Sequence, residues 1–552
     1  MASRRILIVG GVAGGASCAA RLRRMDEFAE IFIYERGGDV SFANCGLPYY
    51  VGGAITDRQR LLVATPERFR DIFRIEVRTR HEVRSIDRAK KIIEAHNLQT
   101  GAVSRESYDV LVLAPGAAPI RPPLAGIDLP GIYSLRTLQD VDCLQSWLDY
   151  HNPSRAVVVG AGYIGLEMAE NFSRRGMEVT LIERLDQAMP PMDPELVSPV
   201  YQELHKQGVD LHLQSEVVAF ESGTNDKITV VTKRNERHMA GVVVLALGVK
   251  PDVWLAKQCG LEIGPTGGIC VDDRMRTSDP SIFAVGDAVE VRDFITGKPT
   301  LIPLAGPANR QGRIAADVIC GRDAHYRGTQ GTAVVGVFDL TLAMTGATEK
   351  VLRREGIAYQ KSYTHSAHHA SYYPGAERIS IKLLYAPDTG RLLGAQAVGK
   401  AGVDKRIDIL AMAVQKGATV FDLEEAELCY APQYGSAKDP INIAGFVAGN
   451  ILRGDVAAAS WADWKALAAA NQTPVTLDVR PPTAVASGAV PGTIHIPLGE
   501  LRSRLNELPR DQEIWVHCVV GQTSYLATRI LKQNGFNVRN ISGGFVSYKM
   551  ES

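Results

Sequence analysis

From its first residues the chain alternates short apolar runs with glycine-bounded helical stretches. RRILIVGG is an aliphatic strand pattern that stops at glycines, GGASCAARLRR switches to helical spacing, and EIFIYER returns to an apolar strand ending in acid. RAVVVGAGYIGLEMAENFSRRGMEVTLIER repeats that strand–turn–helix–strand order. YDVLVLAPGAAP and TSDPSIFAVGDA are strands closing on turns at Gly116 and at Gly286–Asp287, and LIPLAGPANRQGRIAADVI is helical. Further on, TAVVGVFDLTLAMTGAT and RISIKLLYAPDTGRLLGAQAVG alternate like antiparallel strands, and LAMAVQKGATVFDLEE reads as helix. After about residue 452 the character changes. RGDVAAASWADWKALAAANQTP is an alanine-rich amphipathic helix and linker, and VTLDVRPP and EIWVHCVVGQTSYLATRILKQNGF resume strand–loop–helix alternation. The pattern predicts an α/β protein.

Length and composition narrow the reading. A chain of 552 residues exceeds one core and predicts three or four domains. Its 61 basic and 61 acidic residues balance, which argues against a general binder of nucleic acid or acidic membrane. The N-terminal apolar run is short, glycine-broken and followed by a basic helix, so it reads as strand, turn and helix rather than a signal peptide. No run approaches the roughly 18 apolar residues of a membrane span. Eight scattered cysteines without a C-x-x-C make neither a disulfide scaffold nor a metal site, and they fit a reducing cytoplasm.

The glycine turns carry the first chemistry. Gly10, Gly11, Gly14 and Gly15 open a helix, and Glu35 ends the next strand; glycines admit a pyrophosphate, the helix N-terminus faces it, and the acid takes a ribose hydroxyl. Val12 stands where the strict fingerprint has its second glycine, and a plain tight strand–helix turn is the alternative. The second copy has Gly160, Gly162 and Gly165 in full G-x-G-x-x-G spacing, with Glu183 ending its second strand. A carboxylate there favours the 2′-hydroxyl of NADH over the phosphate of NADPH, while the adjacent Arg184 leaves NADPH open. Arg174 and Arg175 read as a solvated helix face. Two such units together imply FAD plus NADH or NADPH.

In this order the motifs resemble the pyridine nucleotide–disulfide oxidoreductase family over about residues 4 to 450. The resemblance implies two Rossmann-like domains: an FAD domain in two parts (1–150 and 281–325) and an NAD(P)H domain (151–280). It also implies an α+β dimerisation domain (326–450), with a homodimer in which this domain reaches the partner's active site. FAD contacts are then expected from Gly10, Gly11, Ala13, Gly14, Glu35, Arg36, Ser41, Asn44, Val83, Ala114, Pro115, Gly116, Gly286, Asp287, Pro303, Leu304 and Ala305. NAD contacts are expected from Gly160, Gly162, Tyr163, Ile164, Gly165, Glu183 and Gly248. The helix after Asp287 resembles the one whose N-terminus points at the flavin, where its dipole stabilises negative charge.

SFANCGLPYY holds one cysteine, Cys45, where members that resemble glutathione reductase carry two separated by four residues. It is similar to the single-cysteine motif of NADH oxidases and peroxidases and of coenzyme A–disulfide reductases, and in the latter the substrate brings the second sulfur. The oxidases have a histidine in the first glycine loop; here that loop is GGVAGG. The CoA reductases have tyrosines near the disulfide, and Tyr372, Tyr373, Tyr430 and Tyr434 resemble these, contributed from the partner subunit. A phenol can stabilise a leaving CoA thiolate; packing as core or interface aromatics is the alternative for each. Arg21 and Arg24 are candidates for CoA phosphates, or a solvated basic face. Ser41 and Asn44 are candidate supports for CoA and for the Cys45 thiolate, the reactive form, or plain turn formers.

The last hundred residues add a second sulfur site. The order DVR (Asp478, Arg480), G-x-PG-x-IHIP, HC-x-x-G and GGF resembles a rhodanese, over 451–552. The resemblance implies that Cys518, between a strand and a helix N-terminus, carries a persulfide. Thr523 stands where the family loop commonly has arginine, which removes a fixed positive charge facing an anionic donor. The combined expectation is an NAD(P)H-dependent flavoprotein reducing CoA disulfide, CoA persulfide or polysulfide, with Cys518 delivering or accepting sulfane sulfur and no nucleic-acid or membrane partner. An NADH oxidase or peroxidase with a Cys45 sulfenic acid, and a CoA- or sulfur-binding redox sensor, remain as alternatives.

Overall fold

The computed structural model describes residues 4–223 and 227–551, and these divide into two compact units. The first, residues 4–188 and 205–331 apart from 224–226, contains two parallel sheets, as the glycine-bounded strands require. One orders Ile282–Ala284, Val110–Leu113, Arg5–Val9, Glu30–Glu35 and Glu76–Thr79; the other orders Asp210–His212, Glu178–Ile182, Arg155–Val159, Val242–Leu245 and Ile132–Ser134. Their central strands are buried along nearly their whole length, so they read as continuous apolar runs rather than alternations. In each sheet the central strand runs into a glycine turn and a helix, Ala13–Met25 or Tyr163–Arg174.

The second unit holds residues 189–204 and 332–551. Its antiparallel sheet orders Ala333–Val337, Leu340–Gly346, Leu392–Gly399, Arg378–Tyr385 and Gln360–Ala367. The expected alternation fails here. Leu392–Gly399 is buried at every position and Arg378–Tyr385 at all but its first, because both faces of the sheet are covered. The expected single helix through LAMAVQKGATVFDLEE is two, Val403–Lys416 and Val420–Glu424. Gly417 ends the first in the left-handed region, and the Thr419–Asp422 capping box starts the second.

The C-terminal sheet is parallel, in the order Ala458–Ala459, Val538–Ile541, Ile514–His517, Val475–Asp478 and Ile494–His495. The stretch read as helix and linker therefore supplies an edge strand. Its helix is shorter, Trp461–Ala469, capped by Ser460 and anchored by a fully buried Trp461. Among the described residues no helix is long and apolar enough to cross a membrane.

Candidate functional site

The two glycine turns are built alike. Gly10 and Gly160 have φ of +96° and +103°, and a Cβ on either would strike the carbonyl of Ala114 or Ala246. A Cβ on Gly15 or Gly165 would lie 1.9 or 1.8 Å from the carbonyl of Gly10 or Gly160, so only glycine lets the helix sit this close to its strand. The first copy's fingerprint is thus Gly10–Val12–Gly15. Gly11 and Gly14 serve packing instead: a Cβ on Gly11 would meet Val40 and Ile33, and one on Gly14 would meet Val285. Glu35 Oε2 accepts from the Gly11 N–H and Glu183 Oε2 from the Ala161 N–H, both at 2.8 Å, so each acid also braces its loop.

Whether these turns fit dinucleotides is testable on the chain itself. A Cβ on Gly162 would meet nothing within 4 Å, leaving the middle of the second loop open for close approach. The helices Ala13–Met25, Tyr163–Arg174 and Ala305–Ile319 start without a side-chain cap and without an acid in the first turn. Elsewhere Thr65, Thr137, Thr348 and Ser460 cap their helices. N-terminal N–H groups left uncapped suit an anion or the negative charge of a reduced ring. The residues fit FAD and a pyridine nucleotide.

Cys45 lies in the 3-10 turn Asn44–Gly46 leading into helix Leu47–Val51, and its residue is exposed. Burial of its sulfur raises the thiol pKa; Glu167 raises it further, and Arg136 opposes. Burial is the largest of these effects, so the protein groups by themselves leave the Cys45 thiol above its ordinary value. Glu167 accepts from the Tyr49 hydroxyl at 3.0 Å, and its own carboxyl is raised, chiefly by burial. Asp287 pairs with Arg136 at 2.8 Å. The Arg136 carbonyl accepts from the Asn44 amide at 3.0 Å, so Asn44 ties the cysteine turn to that pair. Ser41, at φ 49°, acts through its backbone: its N–H donates to Gly11 and its carbonyl accepts from Val63 and Ala64. Arg136, Glu167 and Tyr49 were not picked out from the sequence, since no local motif marks them.

Ala114 donates its N–H to the Val9 carbonyl and, with Pro115, lines the clash with Gly10; Gly116 and Gly286 have φ of +72° and +88°. Gly286 N–H donates to buried Gln311 at 2.7 Å. Leu304 is the first flanking residue of helix Ala305–Ile319, with Pro303 just before it. Gly248 accepts from the Ile120 N–H. Tyr163 and Ile164 open their helix. Val83 is 7% exposed and packs in the core of the first unit. Arg36 pairs with Asp252 at 3.3 Å. Arg21 is tied to Asp317 at 2.7 Å with both side chains 12% exposed, a structural engagement that competes with phosphate binding; Arg24 is exposed.

In the second unit the tyrosines converge. Tyr372 and Tyr430 meet hydroxyl to hydroxyl at 2.8 Å, and Tyr372, Tyr373, Tyr430 and Tyr434 are all exposed. Buried Arg406 holds the two loops that carry them. It donates to the His368 carbonyl at 2.7 Å and to the Asp439 carboxylate at 2.6 Å. Ala370 N–H to the Gly435 carbonyl, at 2.9 Å, completes the tie.

Cys518 follows strand Ile514–His517 and is 1% exposed; its Sγ accepts from the Gly521 N–H at 3.1 Å. The GGF motif has a mechanical reason: Gly544 comes so close that a Cβ would lie 2.5 Å from the Cys518 carbonyl. The N–H groups of Phe545 and Val546 then hold the carbonyls of Cys518 and Val519. Thr523 is exposed in the first turn of helix Gln522–Gln533. Behind the loop, Arg480 and Asp478 form a buried pair at 2.6 Å, with Asp478 3.8 Å from His517. His517 is fully buried, and burial pushes it down to about 4.

Two dinucleotide cradles and, set against the first of them, a cysteine turn, all in one unit, define a pyridine-nucleotide-dependent redox protein acting at sulfur. The chain belongs to the pyridine nucleotide-disulphide oxidoreductases: that family's model matches residues 4–312, and its dimerisation domain matches 332–439. A rhodanese-like domain matches 462–551. The coenzyme A disulfide reductase of Staphylococcus haemolyticus is 36% identical over 446 residues, covering 81% of this chain and 99% of that one. Among solved structures, reduced Bacillus anthracis CoADR-RHD is 45% identical with a TM-score of 0.97, covering 100% of this chain and 98% of that one. An NAD-dependent persulfide reductase from A. fulgidus is 38% identical with a TM-score of 0.91, covering 99% and 100%.

Proposed function

We propose that this chain is a homodimeric, FAD-dependent reductase that uses NADH to reduce CoA disulfide and CoA persulfide or polysulfide. The observation that carries the reading is Cys45: it is free and exposed, with no second cysteine in its turn, and it takes its second sulfur from the substrate. Likeness to a CoA disulfide reductase and to a persulfide reductase along almost the whole of both relatives supports the substrate class.

When bound, FAD supplies the route by which the hydride of NADH becomes an electron pair delivered to sulfur. The chain's residues do the rest. Glu183 and the Gly160–Gly165 turn orient the nicotinamide nucleotide; Glu35 and the Gly10–Gly15 turn, with Asp287, hold the flavin. The Cys45 thiolate attacks the CoA-bound sulfur of a persulfide, which forms a Cys45–S–S–CoA bond and expels hydrosulfide. An electron pair then breaks that bond, freeing the Cys45 thiolate and a CoA thiolate that takes a proton. The net reaction consumes one NADH and one proton and yields CoA and hydrogen sulfide. Tyr372, Tyr373 and Tyr430 act from the partner subunit on the leaving CoA thiolate, and Cys518 delivers or accepts sulfane sulfur.

The test is anaerobic NADH oxidation with CoA persulfide, CoA disulfide or oxygen, with sulfide quantified. Stoichiometric sulfide from the persulfide supports the reading. Turnover with CoA disulfide alone removes the persulfide arm, and turnover with oxygen alone overturns the whole.

A further inference from the structure

Outside the redox site, the pyridine-nucleotide sheet carries a second constellation. Asp210 and His212 stand two apart on the edge strand Asp210–His212, so both side chains leave the same face. His238 comes from a different sheet, on strand Arg237–Ala240. One donor atom from each of the three lies within 4.8 Å of the other two. His212 Nε2 and Asp210 Oδ2 are 2.8 Å apart, and the two imidazole rings meet edge to face at 4.5 Å. His238 Nε2 is shielded from solvent and has no hydrogen-bond partner among the described residues.

We propose that Asp210, His212 and His238 form a binding site for a first-row divalent transition ion, of the zinc, cobalt or nickel class. Two imidazoles and one carboxylate suit such an ion, and exposed Asp210 leaves a coordination position open to solvent. Bonds of about 2.0–2.2 Å put tetrahedral donors roughly 3.3 Å apart, so the three atoms need only small side-chain rotations to close. The ion gives His238 Nε2 the partner it lacks. A second carboxylate, Glu236, held by Ser215 and Thr232 at 2.9 and 3.0 Å, adds negative charge nearby.

The position gives the site a consequence. The His212 carbonyl accepts from the Glu183 N–H at 2.8 Å, and the Glu183 carbonyl accepts from the Ser215 N–H at 2.9 Å. A bound ion cross-links the edge strand to the neighbouring sheet directly behind the acid that braces the second glycine loop.

The test is titration of the oxidised, flavin-loaded, chelator-treated enzyme with Co²⁺. Ligand-field absorption is read at wavelengths beyond the flavin band, and thermal unfolding is followed in parallel. The expected result is one equivalent bound with nitrogen and oxygen ligation, no sulfur-to-cobalt charge transfer, and a raised unfolding temperature. His238→Gln, His212→Gln and Asp210→Asn should each weaken binding at least about tenfold while metal-free flavin content and melting stay unchanged. Absence of binding, binding with sulfur charge transfer, or binding unchanged in those variants would each overturn the proposal. None of these readouts depends on turnover, so they stand or fall apart from the proposed reductase activity.

Discussion

Arg480→Met in the C-terminal domain tests how buried charge is arranged behind Cys518. Arg480 and Asp478 are both 1% exposed, and the guanidinium also donates to the Gly488 carbonyl at 3.0 Å and lies 4.0 Å over the Phe545 ring. Methionine keeps much of the volume but strands Asp478. Breaking a buried pair from one side costs about 3–5 kcal/mol. A neighbour is placed to compensate. His517 is pushed down to about 4 by burial, with Asp478 favouring its charged form and Arg480 opposing it. At 3.8 Å and an effective dielectric constant of about 20, the Asp478–His517 attraction is at most about 4 kcal/mol, or roughly 3 pKa units. That attraction already acts in the native protein; what Arg480→Met removes is the opposing cation, so His517 should rise from about 4 toward its ordinary value of about 6.5.

In the native protein the folded His517 value lies below the unfolded one, so the unfolded chain binds the extra proton between about pH 6.5 and 4 and stability falls as pH falls through that window. In Arg480→Met the two values draw closer, and this loss should shrink even though the variant is weaker at pH 8. Urea unfolding read by tryptophan emission suits the measurement, because Trp461, Trp464 and Trp515 all lie in this domain. An unchanged stability slope between pH 6.5 and 4 would refute the reasoning.

Cys45→Ser should abolish NADH-driven reduction of every CoA substrate, whereas Cys518→Ser should spare CoA disulfide turnover and impair only substrates that need sulfur transfer; loss of disulfide turnover in the second variant would deny the two sulfurs separate roles. Gly165→Ala places a methyl 1.8 Å from the Gly160 carbonyl, so NADH-dependent flavin reduction should fall at least about tenfold while bound flavin is retained. Glu167→Gln removes the carboxylate that, after burial, most raises Cys45, so the midpoint of Cys45 alkylation against pH should move down; a fixed midpoint would deny the coupling. Lys382→Met should destabilise the second unit by about 3–5 kcal/mol, since fully buried Lys382 joins Asp193 and Glu349 at 2.7 and 2.8 Å, and Glu195 as well. In the native protein Glu349 is lowered to about 2, so its contribution is lost as pH falls from about 4.3 toward 2; in the variant, acid should relieve the stranded carboxylates instead.

Local geometry is what can be read without the fold. A strand that must turn into a helix within five residues needs glycine at Gly10 and Gly15, and again at Gly160 and Gly165, so both cradles were legible as spacing. Cys45 and Cys518 were legible for the same reason: each sits in a short turn whose neighbours in sequence are also its neighbours in space. Tertiary structure decided everything that joins distant segments. Tyr49 meets Glu167 across 118 positions, Arg136 meets Asp287 across 151, and Lys382 meets Asp193 across 189. No periodicity encodes such pairs, because a side chain's partner there depends on how sheets and helices pack. The same reason explains the two local misreadings. Strands covered on both faces lose their alternation, and the stretch read as a linker became a sheet edge because Asn540 and Ile541, some 80 positions on, offered Ala458 and Ala459 a strand to pair with. The charge balance at Cys45 belongs to the same class, since Glu167 and Asp287 reach that sulfur only once the chain has folded.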